Sequence, residues 1–310
     1  MAASVPNSIF ITAPDGLRLH ACCYGRANGA ALPVVCLPGL TRTAADFGVL
    51  ASALAANGAH PRRVIALDYR GRGESGYDRD PENYNVRTEL RDVLAVVTAL
   101  EALPAIYIGT SRGGILTMLL AAARPTAIAG AVLNDIGPVL DPKGLLRIKS
   151  YVGKLPRPVS FEEGAEILRR LFSTQFPKLT PEDWLASAQR AFKQDKKGRL
   201  VPTYDVRIAR TLRSIEPDEP VPALWSQFDA LQSVPLMAIR GANSDLLSPA
   251  TLEAMRTRRS SLEVIEVPDQ GHAPLLVEPE IVARIGRFAT RCDKSLAPSP
   301  WAPAILSPSP

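Results

Sequence analysis

The residues that draw attention first are Gly109-Thr110-Ser111-Arg112-Gly113, a G-x-S-x-G pentapeptide. Such a serine gains meaning where a strand precedes it and a helix follows, because the sharp strand-to-helix turn lifts its hydroxyl clear of the backbone. Here an apolar strand pattern at 106–108 precedes it and a helical pattern at 112–123 follows. The flanking glycines leave room for a strained turn. A serine hydroxyl stays a poor nucleophile until a base takes its proton. Of the three histidines, His20 falls in an opening hairpin and His60 just ahead of a strand. His272, in Asp269-Gln270-Gly271-His272-Ala273, follows the last strand and lies C-terminal to the other candidates. That matches the chain order serine, acid, histidine, so Ser111 reads as nucleophile and His272 as general base. Two carboxylates stand at carboxyl ends of strand patterns, where open α/β sheets assemble their sites. Asp245 follows the run at 236–239 and is the preferred acid. Asp135 follows the strand beginning at 132 and is the alternative, otherwise a structural residue at the first turn of an inserted segment.

These residues need a scaffold, and the pattern along the chain supplies one. Short apolar runs alternate with longer helical patterns, the signature of a mostly parallel sheet covered on both faces. Runs at 9–13 and 17–24 flank Pro14-Asp15-Gly16 as a hairpin, and strands are expected at 34–37 and 64–67. Helices are expected at 44–57 and 88–100. From 137 to about 234 the strand signal disappears, and amphipathic helices separated by prolines take its place. Ser160 with Glu163 fits a capping box, and Thr180 precedes a proline at a first helical position. The expected division is a core over 1–135, a helical cap over 136–234, the rest of the core over 235–292, and a disordered Pro/Ser-rich tail over 293–310.

Composition narrows the remaining classes. With 46% hydrophobic and 22% charged residues, the chain suits a folded domain. No stretch reaches the roughly 20 apolar residues of a membrane span, and MAASVPNSIF has no basic-then-apolar leader pattern. A cytoplasmic location without membrane insertion is expected. The four cysteines lack metal-ligand spacing and read as reduced thiols. The net charge of +5 comes from short clusters such as Arg256, Arg258 and Arg259, without interleaved aromatics, so no nucleic-acid partner is expected. Oligomeric state is not readable.

Taken together the motifs resemble those of the α/β-hydrolase superfamily, over about residues 5–290. Val35-Cys36-Leu37-Pro38-Gly39-Leu40 resembles that family's oxyanion loop, with Pro38 where the family often has histidine. Asp68-Tyr69-Arg70-Gly71-Arg72-Gly73-Glu74-Ser75 resembles its D-x-R-G-x-G-x-S loop, whose arginines are expected to pair with nearby acids. The resemblance implies an eight-stranded, mostly parallel sheet flanked by helices. It also implies an oxyanion hole of the Leu40 and Arg112 backbone N–H groups, and needs no metal or organic cofactor. The expected activity is hydrolysis of a small-molecule ester, thioester or lactone through an acyl-enzyme. Carbon–carbon bond hydrolysis and acyl transfer are alternatives with the same triad, and a non-catalytic ligand-binding protein is a third. A haloalkane dehalogenase is disfavoured, since that chemistry needs an aspartate in place of Ser111. Arg42 and Arg112 either bind an anionic substrate group or pair with internal acids. Trp184, Phe192, Leu224, Trp225 and Phe228 are candidate pocket walls.

Overall fold

The structure, a computed structural model, describes residues 6–27, 31–216 and 221–295. Its centre is an eight-stranded sheet. β1 (Asn7–Thr12) and β2 (Arg18–Tyr24) form the antiparallel hairpin expected around Pro14-Asp15-Gly16. β3 (Val34–Leu37) leads through a single 3₁₀ turn into α1 (Gly48–Ala55), and β4 (Val64–Asp68) follows. Then come α2 (Val86–Ala99), β5 (Ala105–Thr110), α3 (Arg112–Ala123) and β6 (Ile128–Asn134). β3, β4 and β6 are buried along their whole length, which is why they read as unbroken apolar runs.

Between β6 and the next sheet strand lie about a hundred residues in which, among the described residues, nothing joins the main sheet. The segment holds α4 (Pro142–Tyr151), α5 (Phe161–Phe172) and α6 (Pro181–Ala191). A small antiparallel pair, β7 (Phe192–Gln194) and β8 (Leu200–Pro202), follows α6 and escaped the sequence reading. Ser160 accepts from the Glu163 N–H as expected, but the Glu163 side chain reaches the Val159 N–H. The reciprocal capping box belongs instead to Thr180 and Asp183. α7 (Trp225–Asp229) packs back onto α3. β9 (Leu236–Gly241), α8 (Pro249–Arg258), β10 (Glu263–Val267) and α9 (Pro279–Ser295) complete the chain.

The sheet order is β1-β2-β4-β3-β5-β6-β9-β10, parallel from β4 to β10. Apolar layers cover both faces, and a third, smaller core of Leu168, Phe176, Trp184, Ala188, Phe192 and Leu200 holds α5 and α6 together. Of the tail expected over 293–310, residues 293–295 lie in α9, where Asp293 pairs with the buried Arg62 at 2.9 Å. The rest of that segment, from 296, lies outside the described residues. Among the described residues no helix is long and apolar enough to cross a membrane.

Candidate active site

Strand register builds the site. β5 and β6 lie side by side with Thr110 opposite Asn134, so the residues that follow them, Ser111 and Asp135, leave the sheet as neighbours. The Ser111 N–H donates to the Asn134 carbonyl at 3.0 Å, and the Asp135 N–H to the Ile239 carbonyl of β9 at 2.7 Å. Both residues adopt positive φ, 51° at Ser111 and 55° at Asp135, where a side chain crowds its own backbone. The elbow tolerates this because its glycines admit no side chain. A Cβ on Gly109 would lie 2.5 Å from the Gly113 carbonyl, and one on Gly113 would lie 2.0 Å from the Leu37 carbonyl oxygen.

His272, on the loop after β10, joins the two. Its Nε2 lies 2.8 Å from Ser111 Oγ and its Nδ1 lies 2.7 Å from Asp135 Oδ2. The carboxylate at the imidazole is therefore Asp135 and not Asp245, the acid favoured by sequence. Asp135 is wholly buried and saturated: the Gly241 N–H donates to Oδ1 at 2.8 Å and the Ser244 hydroxyl to Oδ2 at 2.6 Å. Asp245 turns the other way, onto α4. Arg147 Nε and Nη2 grip its two oxygens at 2.6 and 2.9 Å, a bidentate pair that ties the loop after β9 to the helical insertion. Burial alone would raise the Asp245 carboxyl, but this guanidinium holds it below its usual value. A serine hydroxyl so linked to an imidazole and a buried carboxylate can lose its proton to the ring while the carboxylate balances the resulting charge.

Arg112 opens α3, so its backbone N–H has no acceptor within the helix, and Leu40 follows Gly39 on the facing loop of the same cavity. The Arg112 side chain turns away from the cavity. Its Nε donates to Glu89 Oε2 at 2.7 Å, while Arg72 Nη1 meets Glu89 Oε1 at 2.8 Å, with Glu89 fully buried. Burial would raise the Glu89 carboxyl, but Arg112 and Arg72 hold it low. Arg70 likewise binds Asp92, Asp78 and Asp15, so the arginines of the 68–75 loop serve the scaffold as expected.

A cavity of about 160 Å³ opens over Ser111 and His272. Of the expected wall residues, Trp184 and Arg42 line it. Leu224, Trp225 and Phe228 do not: they pack on the main core, with Phe228 buried. Phe192 is buried in the core between α5 and α6. The rest of the aromatic wall comes from Phe47, Tyr151, Phe172, Phe176 and Tyr204, which sequence reasoning missed. The apolar face of α5, with Phe161, Ala165, Leu168 and Phe172 at helical spacing, is the sequence signal that could have found Phe172.

A second Ser–His–Asp alignment also went unseen. Ser8 Oγ lies 2.6 Å from His20 Nε2, and His20 Nδ1 lies 2.7 Å from Asp68 Oδ2. Burial would lower the His20 imidazole, but hydrogen bonds with Asp68 and Cys22 raise it to about 9. At neutral pH that ring is an imidazolium, which cannot act as a base. Asp68 also accepts the Ala44 and Glu74 N–H groups, so this alignment fastens β2 to the loops beside the site.

The fold and the elbow together define the class. The model of the alpha/beta hydrolase family matches residues 34–285, and the chain belongs to that family and is an α/β-fold hydrolase. It is 35% identical to the 3-hydroxybutyrate-oligomer hydrolase of Cupriavidus necator, over 94% of this chain and 99% of that protein. A crystal structure of an alpha/beta hydrolase from Novosphingobium aromaticivorans superposes with a TM-score of 0.86 at 40% identity, covering 93% of this chain and 99% of the other. The 2-(acetamidomethylene)succinate hydrolase of Mesorhizobium japonicum is 26% identical over 71% of this chain and 76% of its own length. No group of three or more His, Cys, Asp or Glu side chains among the described residues could hold a metal ion.

Proposed function

We propose that the protein is a serine hydrolase of small carboxylic esters, working through Ser111, His272 and Asp135. The observation that carries this reading is the unbroken line of hydrogen bonds from Ser111 Oγ to His272 to the buried Asp135. His272 takes the Ser111 proton as Oγ attacks the ester carbonyl, and the carbonyl oxygen becomes an oxyanion between the Leu40 and Arg112 N–H groups. The start of α3 favours negative charge there. The imidazolium then protonates the departing alkoxide, leaving an acyl-serine. Water, deprotonated by His272, attacks that ester and releases the acid. The segment from 136 to 234 acts as a cap over the cavity, with Trp184 in its wall. The Cupriavidus necator relative, which aligns along nearly the whole chain, is named for oligomers of 3-hydroxybutyrate, and we take short hydroxyacid esters as the substrate class. The reaction is self-contained and calls on no cofactor.

The test is covalent labelling of the purified protein by a fluorophosphonate, beside turnover of p-nitrophenyl butyrate and of the methyl-capped and free-acid dimers of 3-hydroxybutyrate. Labelling and turnover that vanish in Ser111→Ala are expected. A folded wild-type protein that neither labels nor turns over any ester would refute the reading.

A further inference from the structure

Besides the Ser111–His272 pair, the cavity over the nucleophile is lined by three charged side chains. There Arg42, just past the oxyanion loop, meets Arg190 of α6 across a single carboxylate, Asp46, and all three line the cavity. Arg42 Nη1 donates to Asp46 Oδ1 at 3.1 Å, and Arg190 Nε lies 3.4 Å from the same oxygen. The other oxygen of Asp46 is already taken by the Thr43 backbone N–H at 3.1 Å, which caps the turn before α1. One carboxylate, partly spent on a backbone cap, thus serves two guanidinium groups. The next acid near Arg190 is Asp183, whose carboxylate is engaged by the Thr180 N–H and hydroxyl at 2.9 and 3.0 Å. Tyr151 also lies near Arg42, and its phenol is neutral because burial raises it. Arg190 Nη2 also donates to Ser187 Oγ at 3.1 Å, and with the Arg190 side chain 27% exposed and that of Arg42 39% exposed, the remaining guanidinium N–H groups stay accessible. Burial and the charge of Arg42 push the Arg190 guanidinium below its usual value against the pull of Asp46, as expected for under-compensated positive charge.

The wall is close to the nucleophile. A Cβ on Gly39 would lie 3.3 Å from Arg42 Cγ and 3.8 Å from Ser111 Cβ, so the Arg42 stem runs beside the elbow. An anion at the guanidinium end would sit a few bonds from a carbonyl at Ser111 Oγ. A carboxylate suits the site, since it matches the planar donor fork of arginine and gains most where the surroundings are apolar.

We propose that Arg42 and Arg190 form a carboxylate subsite that holds the free acid end of the substrate while Ser111 attacks its ester. This rests on the ester-hydrolase reading above and sharpens it: the enzyme selects esters that carry an acid group, and works on a short oligoester from its free-acid end.

The test compares kcat/KM for 3-(butyryloxy)butyrate and for its methylamide, which share one butyryl ester and differ only in the carboxylate on the alcohol side of that ester. The wild type should favour the acidic ester. Arg190→Met and Arg42→Met should each lower the acidic-to-neutral ratio by about 10- to 100-fold, the worth of one charge-assisted contact. Arg190→Lys should recover part of it. Arg190 is the more buried, so Arg42→Met carries the test if Arg190→Met does not fold. Ser111-dependent turnover of the neutral ester, with a ratio that neither substitution moves, would overturn the subsite and leave the hydrolase standing. No Ser111-dependent turnover of either ester would overturn both.

Discussion

Replacing Asp135 by asparagine should cost the enzyme about three decades of kcat/KM, while the same change at Asp245 should cost less than one. When Ser111 passes its proton to His272, a positive charge forms on a ring whose Nδ1 lies 2.7 Å from Asp135 Oδ2. The charge centres are then about 4 Å apart, and at an effective dielectric constant near 20 their attraction is about 4 kcal/mol. An amide keeps the shape and loses that attraction, and each 1.36 kcal/mol is a factor of ten in rate. The amide introduced by Asp135→Asn would also meet a donor whichever way it turns, with its NH₂ facing either His272 and Ser244 or the Gly241 N–H, which adds to the loss. Asp245 works against Arg147 instead, with both side chains partly exposed. Asp245→Asn should therefore lower stability by about 1–2 kcal/mol and leave the proton relay in place.

The assay is steady-state turnover of p-nitrophenyl butyrate, with the active fraction counted by fluorophosphonate labelling and folding checked by thermal melting. Melting separates a slow site from an unfolded one, because a folded site without its buried acid also labels slowly. A three-decade loss in well-folded Asp245→Asn, with Asp135→Asn near wild type, would move the acid to Asp245 and refute the reasoning from geometry.

Three further outcomes are expected. Glu89→Gln strands the buried guanidiniums of Arg72 and Arg112 without their shared carboxylate, and urea denaturation should register a loss of about 3–5 kcal/mol; an unchanged midpoint would mean the pair of arginines is solvated. The His20 imidazole is raised from 6.5 to about 9 in the folded protein, so its bond with Asp68 contributes fully below about pH 6.5 and fades as pH rises through about 9. The urea midpoint should fall over that window in the wild type and fall less in His20→Gln; parallel curves would assign the pH dependence to other groups. Gly113→Ala forces a Cβ to within 2.0 Å of the Leu37 carbonyl oxygen, so it should melt well below the wild type or, if folded, lose fluorophosphonate labelling, and a stable, fully labelled variant would contradict the packing of the elbow.

How far such a site can be read from sequence depends on how local its determinants are. Ser111 was legible because its determinants are local: glycines whose side chains would strike the backbone, a strand before and a helix after. His272 was legible by chain order. β3 to β6 were legible because strands buried on both faces leave unbroken apolar runs, whereas β7 and β8 are three residues each and carry no such run. Arg42 and Arg112 looked alike in sequence and part ways in the structure, one facing the cavity and the other a buried glutamate. Trp225 and Phe228 went wrong for a related reason: apolar residues along a short helix look the same whether they face a pocket or, as here, α3.

The acid was the hardest case, because both candidates follow sheet strands and differ only in what lies across from them. Asp135 comes one residue after β6, in register with the residue one past β5, so it cannot avoid the elbow. Asp245 comes four residues after β9, far enough for the turn at Ser244 to carry it outward to Arg147, nearly a hundred positions away in sequence. The same turn sends the Ser244 hydroxyl back to Asp135. The loop after β9 thus supports the carboxylate at His272 without supplying it, a division of labour set by strand register and invisible to motif order.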